Sequence, residues 1–192
     1  MTAINQAKIL ILATDGFEQS ELQTPLTELR KQGATVHVAA PSNTMESGKI
    51  RGWDKKDWGI SIPVDVQLDS AKASDYDALV LPGGVMNPDH LRTEQKAIDL
   101  IKAFEQSGKT IAAICHGPWL LAEAGIAKGR KLTSFKSIKT DLKNAGAQWE
   151  DKEVVTDQGI ITSRSPDDLP AFINKIIEEI GEGTHTSRQA AA

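Results

Sequence analysis

The chain reads as a doubly wound α/β domain: a mostly parallel central sheet between two layers of helices. Three observations predict this. Short aliphatic runs recur, KILILA at 8–13, DALVL at 77–81 and TIAAI at 110–114. Stretches with apolar residues at helical spacing follow or separate them. The joints are short and carry the turn residues Gly, Pro and Asp, which suits repeated β–α–β crossovers.

The elements follow in order. Lys8 to Ala13 is a buried strand ending at the turn Thr14-Asp15-Gly16. Ser20 to Gln32 is a helix, with Leu22, Leu26 and Leu29 on one face and Gly33 as its stop. Thr35 to Ala39 is the second strand. Residues 41–70 break the rhythm; the alternation at Ile60–Ile62 and Val64–Val66 suggests a loop with a small hairpin-like excursion. Asp77 to Leu81 is a strand ending at Pro82-Gly83-Gly84. A helix follows from Thr93 to Ser107, then the strand Thr110 to Ile114, with Cys115 at its end and a helix running on to Gly125. Short units come next: a strand near 131–134, a helix near 138–144 and a strand pair near 154–156 and 160–163. The last helix opens with Ser165 as N-cap, Pro166 at its first position and Asp168 three residues after the cap. Residues 1–181 form one domain in this reading, and 182–192 a flexible tail.

Composition narrows the function. With 192 residues, folding buries about 70% of the unfolded surface. The net charge of −4, without a concentrated basic patch, argues against nucleic acid as main partner. Lys128 to Lys143 mixes its charges with apolar residues and reads as a solvated face. The apolar run at the N-terminus is too short for a secretory signal, and no run approaches a membrane span. The expected location is the cytoplasm. One cysteine forms no intramolecular disulfide and no cysteine-rich metal site.

In open parallel sheets, ligands collect at the carboxyl ends of the strands. Three such ends are chemically loaded: Asp15-Gly16-Phe17-Glu18, Pro82-Gly83-Gly84 and Cys115-His116-Gly117. A strand-to-helix elbow exposes its side chain, and backbone N–H groups beside it favour a thiolate. Cys115 is thus a candidate nucleophile, with a thiol expected below its free pKa of about 8.5. A small buried hydrophobe is the bland alternative. Gly83 and Gly84 let backbone N–H groups approach a ligand and form an oxyanion hole. Glu18 is a candidate carboxylate or simply a first-turn residue of its helix. His116 is a candidate acid–base group or a helix-end residue. Trp53, Trp58 and Trp149 read as packing, and Trp119 as a pocket wall.

DGFEQSEL at 15–22, LPGG at 81–84 and AAICHGPWLLAEAG at 112–125 together resemble the PfpI family of intracellular cysteine proteases and stress proteins, within the class I glutamine amidotransferase-like superfamily. TSFKSIKTDLKNAGAQW at 133–149 and GIITSRSPDDLPAF at 159–172 are similar too, so the resemblance spans nearly the whole chain in order. It implies a flavodoxin-like sheet and a nucleophile elbow. It makes Cys115 the nucleophile, His116 its acid–base partner and Glu18 the carboxylate beside the thiol. The family's glutamate after LPGG, which completes a triad across a subunit interface, is matched by the shorter Asp89. A homodimer or larger assembly is implied, with Val85, Met86, Pro88 and Leu91 near the interface. The late His-x-Glu element of a true amidotransferase is missing, so glutamine hydrolysis is disfavoured.

Two functions follow. The first is a cofactor-independent, metal-independent enzyme acting on reactive dicarbonyls or glycated groups (glyoxalase or deglycase type), with peptidase as the weaker assignment. The second is a redox-responsive stress protein whose Cys115 oxidises to the sulfinic acid. The expected partners are a small electrophile or peptide, with no membrane.

Overall fold

The computed structural model describes residues 2–185. Strand β1 (Lys8–Leu12) lies inside a seven-stranded sheet with β3 (Thr35–Ala40), β6 (Val66–Gln67), β7 (Ala78–Leu81), β8 (Thr110–Ile114), β11 (Val154–Asp157) and β12 (Ile160–Ser163). The order is β11-β12-β8-β7-β1-β3-β6. All neighbours are parallel except the edge pair β11–β12, which a tight turn joins in antiparallel register. The doubly wound sheet expected from the sequence is therefore present.

Strand pleating sends alternate residues to opposite faces, so one aliphatic run feeds two cores. Ile9 and Ile11 of β1 join Val36, Val80 and Ile114 against helices α1 (Gln19–Lys31) and α6 (Leu169–Glu182). Leu10 and Leu12 join Leu79, Leu81 and Ala113 on the other face, under α3 (Gln95–Gln106), α4 (Pro118–Glu123) and α5 (Lys139–Asn144). Phe172 and Phe104, one on each side, are fully buried. Each such side chain contributes about 1.5–3 kcal/mol by leaving water. Among the described residues no helix is long and apolar enough to cross a membrane.

The irregular middle of the chain is more ordered than its composition suggests. β4 (Lys49–Asp54) and β5 (Asp57–Pro63) form an antiparallel hairpin, and β2 (Phe17–Glu18) pairs in parallel with β4. The hairpin holds the turn after β1. Both carboxylate oxygens of Asp15 accept backbone N–H groups, from Met45 and Arg51, each at 2.7 Å. The short α2 (Met86–Leu91), which the sequence pattern does not announce, follows the double-glycine turn. β9 (Lys131–Leu132) and β10 (Gln148–Trp149) make a separate parallel pair.

The last helix departs from expectation. Ser165 makes no capping bond; Pro166–Asp168 form one 3-10 turn and the α-helix begins at Leu169. Asp168 instead accepts the Arg164 backbone N–H at 3.0 Å and its guanidinium at 2.9 Å. At the far end α6 runs to Glu182, and the His185 N–H donates to the Gly108 carbonyl at 2.8 Å. Residues 186–192 of the expected tail lie outside the described residues.

Two glycines test these packing relations in opposite directions. A Cβ on Gly117 would sit 2.5 Å from the Leu81 carbonyl oxygen, whereas one on the helical Gly181 meets nothing within 4 Å. Gly181→Ala is expected to stabilise the fold by about 0.5–1 kcal/mol. Gly117→Ala is expected to destabilise it by about 1–3 kcal/mol, the usual effect of overpacking. Urea unfolding midpoints of both variants check the pair.

Candidate active site

Cys115 occupies a sharp elbow between β8 and α4, with φ at 62°. Few non-glycine residues adopt that left-handed region, at a cost of about 1–3 kcal/mol, and they persist only where surroundings over-determine them. Here they do. The Cys115 N–H donates to the Ser163 carbonyl at 3.0 Å, and its own carbonyl accepts the Phe135 N–H at 2.9 Å. The Gly117 N–H closes the turn onto the Ile114 carbonyl at 2.8 Å. The thiol is turned toward the carboxyl ends of β1 and β7, and the residue is 7% exposed.

The carboxyl group beside the thiol belongs to Glu21, not to Glu18. The alternation of β2 explains the difference. Phe17 points into the core, so Glu18 turns outward, half-buried, and its carboxylate accepts the Ser20 hydroxyl at 3.2 Å. One turn into α1, Glu21 lies on the same buried face as Leu22, Pro25, Leu26 and Leu29 and has no exposed surface. Its Oε2 accepts the Gly83 N–H at 2.9 Å, and the carboxyl group and Cys115 crowd the same side of Gly83. The Glu18 expectation is therefore corrected by three residues. The readable signal was an acidic residue within an apolar helix face, where a charge has no ordinary place.

Burial, aided by the nearby Glu18 charge, pushes the Glu21 carboxyl up to about 8. Burial also raises Glu18, against the hydrogen bonds from Ser20 that lower it. The thiol departs from expectation as well. Burial and an ionised Glu21 push it up, outweighing the Gly84 and His116 N–H groups that pull it down. The six-residue α4 supplies too little aligned backbone dipole to reverse this. At rest the pair is a protonated carboxyl beside a thiol, so the sulfur needs a base to become nucleophilic.

A candidate base lies against it. The His116 Nδ1 lies 3.2 Å from the sulfur, and the ring is 7% exposed. Burial holds the imidazole below its ordinary value, and the Asp141 charge opposes this only in part. The ring stacks on Phe135, with centroids 5.1 Å apart, and meets Trp119 edge-on at 5.2 Å. Trp119 is itself held by a 2.8 Å bond from its Nε1 to Asp141 and by Arg92 over its face. It thus walls the histidine.

The remaining candidates separate. Gly83 commits its N–H to Glu21, leaving the Gly84 N–H to face the sulfur. Both glycines are required by space: a Cβ on Gly83 would lie 2.6 Å from the Glu21 carboxyl, and one on Gly84 2.5 Å from the Gly16 carbonyl oxygen. Asn87, absent from the sequence reading, ties the strand ends together. Fully buried, its Oδ1 accepts the Thr14 N–H at 2.8 Å and its Nδ2 donates to the Pro82 carbonyl at 2.9 Å. Asp89 is exposed on α2 and makes no bond to His116 among the described residues. A cavity of about 550 Å³ opens nearby, lined by Asp15, Met45, Trp58, Met86 and His90 among others. Cys115 is not among its lining residues.

A cysteine held at positive φ on a strand-to-helix elbow, with a buried carboxyl group and a histidine against its sulfur, defines a class of thiol-bearing α/β domains. Residues 7–179 match the family model described as the DJ-1/PfpI family, and the chain belongs to that family. It is 43% identical over 171 residues to a deglycase of Thermococcus kodakarensis, covering 89% of this chain and 98% of that protein. It is also 43% identical over 176 residues to protein/nucleic acid deglycase 2 of Escherichia coli, covering 91% and 98%. Among solved structures, Drosophila melanogaster DJ-1beta superposes with a TM-score of 0.78 at 33% identity, covering 92% of this chain and 94% of that one.

The raised Glu21 carboxyl makes stability pH-dependent. Its folded value of about 8 lies above its unfolded value of 4.5. The fold therefore binds the proton more tightly, and this stabilisation is complete below pH 4.5 and lost as pH rises through 8. Between these limits the carboxyl contributes a fall of up to about 1.4 kcal/mol per pH unit. Glu21→Gln is expected to flatten that slope. Denaturant unfolding of both proteins at pH 5, 6.5 and 8 measures it.

Proposed function

We propose that this protein is a cofactor-independent thiol enzyme that converts reactive dicarbonyls, free or carried on glycated groups, to hydroxy acids. The observation carrying this reading is the convergence on one recessed sulfur of the His116 Nδ1, the Glu21 carboxyl group and the Gly84 N–H. The names of similar proteins support it: deglycases in Thermococcus and Escherichia. With Cys115 only 7% exposed, a small aldehyde reaches the sulfur more readily than a folded polypeptide does. This favours dicarbonyls over peptides, although one relative, from Bacillus subtilis, is named a putative cysteine protease.

The chemistry uses only groups in this chain and water. His116 takes the thiol proton, and the sulfur attacks the aldehyde carbon. The former carbonyl oxygen is held by the Gly84 N–H and takes the proton from Glu21, giving a hemithioacetal and an ionised Glu21. That carboxylate removes the hydrogen from the same carbon and returns it to the neighbouring one. His116 gives its proton to the neighbouring oxygen and takes the one on the hemithioacetal hydroxyl, leaving a 2-hydroxy thioester. A base near neutrality is suited to this task. Water cleaves the thioester, releasing the 2-hydroxy acid and regenerating the thiol. Dicarbonyl and water are consumed in equal amounts, with no external oxidant.

A protonated Glu21 would also donate a hydrogen bond to an oxidised sulfur, which supports redox sensing as a second reading. Turnover separates the two, because a sensor consumes a single oxidant equivalent per thiol.

With methylglyoxal, NMR is expected to show lactate forming in many equivalents per protein, and none with Cys115→Ala. Glu21→Gln is expected to lower the rate by about two to four orders of magnitude, the range for a positioned acid–base group. Glu18→Gln is expected to stay within about tenfold, since that carboxylate bonds Ser20 and not the sulfur. A wild-type rate in Glu21→Gln would overturn the assignment of the base.

A further inference from the structure

The far end of α6 gathers three donors that the chemistry at Cys115 does not use. Glu179 and Glu182 stand on one face of the last helical turn, and His185 follows just past it. At Gly183, with φ at 91°, the chain leaves the helix and turns back. The His185 N–H then donates to the Gly108 carbonyl at 2.8 Å, so its backbone lies against the turn between α3 and β8. Gly108 permits this approach: a Cβ there would sit 2.8 Å from the His185 carbonyl oxygen. His185 Nε2 comes to 2.9 Å from Glu179 Oε2, and one ligand atom from each of the three residues lies within 4.8 Å of the others. Gly108 precedes β8, and Cys115 follows it, so the length of that strand separates the cluster from the thiol.

We propose that Glu179, Glu182 and His185 form a site for a divalent transition-metal ion of the zinc type, which clasps the segment after α6 to the turn before β8. Glu182 and His185 lie beyond residues 7–179, so the site is separate from the features that define the family.

The charges here run against the helix that carries them. The C-terminal end of a helix has partial negative charge and favours Lys, Arg or His⁺, yet the last turn of α6 holds two glutamates and no basic residue. Glu179 is also only 5% exposed, and a carboxylate is seldom buried that far without a cation to pair with. Burial and the Glu182 charge raise its carboxyl, and His185 and Lys175 offset this in part. Lys175 has its own partner, Glu178, at 2.7 Å. A metal ion between the two carboxylates and the imidazole supplies the positive charge that this helix end lacks.

The donor set selects the ion. Imidazole beside carboxylates suits zinc and its transition-metal neighbours, whereas calcium and magnesium prefer oxygen alone. Zinc holds such nitrogen and oxygen atoms at about 2.0–2.2 Å, with water able to take a fourth position. The exposed Glu182 can swing to close the remaining gap. The ion takes the place of the hydrogen between Nε2 and Oε2: a neutral ring keeps its proton on Nδ1 and offers the Nε2 lone pair.

The test uses the full chain carrying Cys115→Ala, which removes the sulfur as a competing ligand. Freed of metal with a chelator, it is titrated with Co2+ as a spectroscopic probe and then with Zn2+. The expected result is visible absorption that saturates at one equivalent of Co2+ and is abolished by one equivalent of Zn2+. His185→Ala and Glu182→Gln, added singly, are each expected to weaken Co2+ binding by about tenfold or more, since even an outer partner of a metal site is worth that much. Both side chains lie outside the two cores, so lost binding in these variants is not lost folding. Glu178→Gln, next to Glu179 but bonded to Lys175, is expected to stay within about twofold. Binding that fails to saturate at one equivalent would overturn the proposal, as would a titration that His185→Ala leaves unchanged. Because the titration is made without the thiol, its failure leaves the reading of Cys115 untouched.

Discussion

The site depends on one backbone constraint, the left-handed conformation of Cys115. In an extended or helical conformation the side chain would follow the pleat of β8 or the flank of α4, away from the strand ends. Positive φ lifts it out of both. The constraint is met from two directions, by the Ser163 carbonyl on β12 and the Phe135 N–H on the segment before α5. The parallel register of β12 on β8, Ser163 opposite Ile114, brings that carbonyl alongside the elbow. Strain of this kind endures because breaking either bond would strand a buried polar group.

A second constraint follows from space. The sulfur, the Glu21 carboxyl and the double-glycine turn approach so closely that no side chain fits at Gly83. The same crowding excludes water and keeps a proton on Glu21. One of its oxygens, Oε2, has a backbone donor, while Oε1 has no hydrogen-bond partner among the described residues. An apolar helix face holding a half-satisfied carboxyl is poor for stability and suited to chemistry, because proton transfer between carboxyl and sulfur then needs little rearrangement.

His116 completes the set from outside. It is clamped by two aromatic rings, Phe135 and Trp119, and Trp119 is in turn fixed by Asp141 and covered by Arg92. The helix α4, the segment from Phe135 to Asp141 and the turn carrying Arg92 therefore meet around one imidazole.

The aliphatic runs at 8–13, 77–81 and 110–114 determined the sheet, because parallel strands buried on both faces must be apolar at every position. Cys115 at the end of such a run determined where the thiol sits, and the LPGG and CHGP turns determined which strand ends gather around it. The helical spacing of α1 already sets Glu21 on the apolar face of Leu22, Pro25, Leu26 and Leu29, and the pairing of β2 with β4 turns Glu18 outward. The helix α2 escaped notice because it is six residues long and its tie, Asn87, bonds to the turns after β1 and β7. The thiol's expected acidity rested on the elbow amides alone; burial and the Glu21 carboxyl, both products of packing, reversed it. The grouping of Glu179, Glu182 and His185 lay beyond any sequence argument for the same reason. A histidine past the end of a helix has no signature until the fold sets it 2.9 Å from a buried carboxyl group.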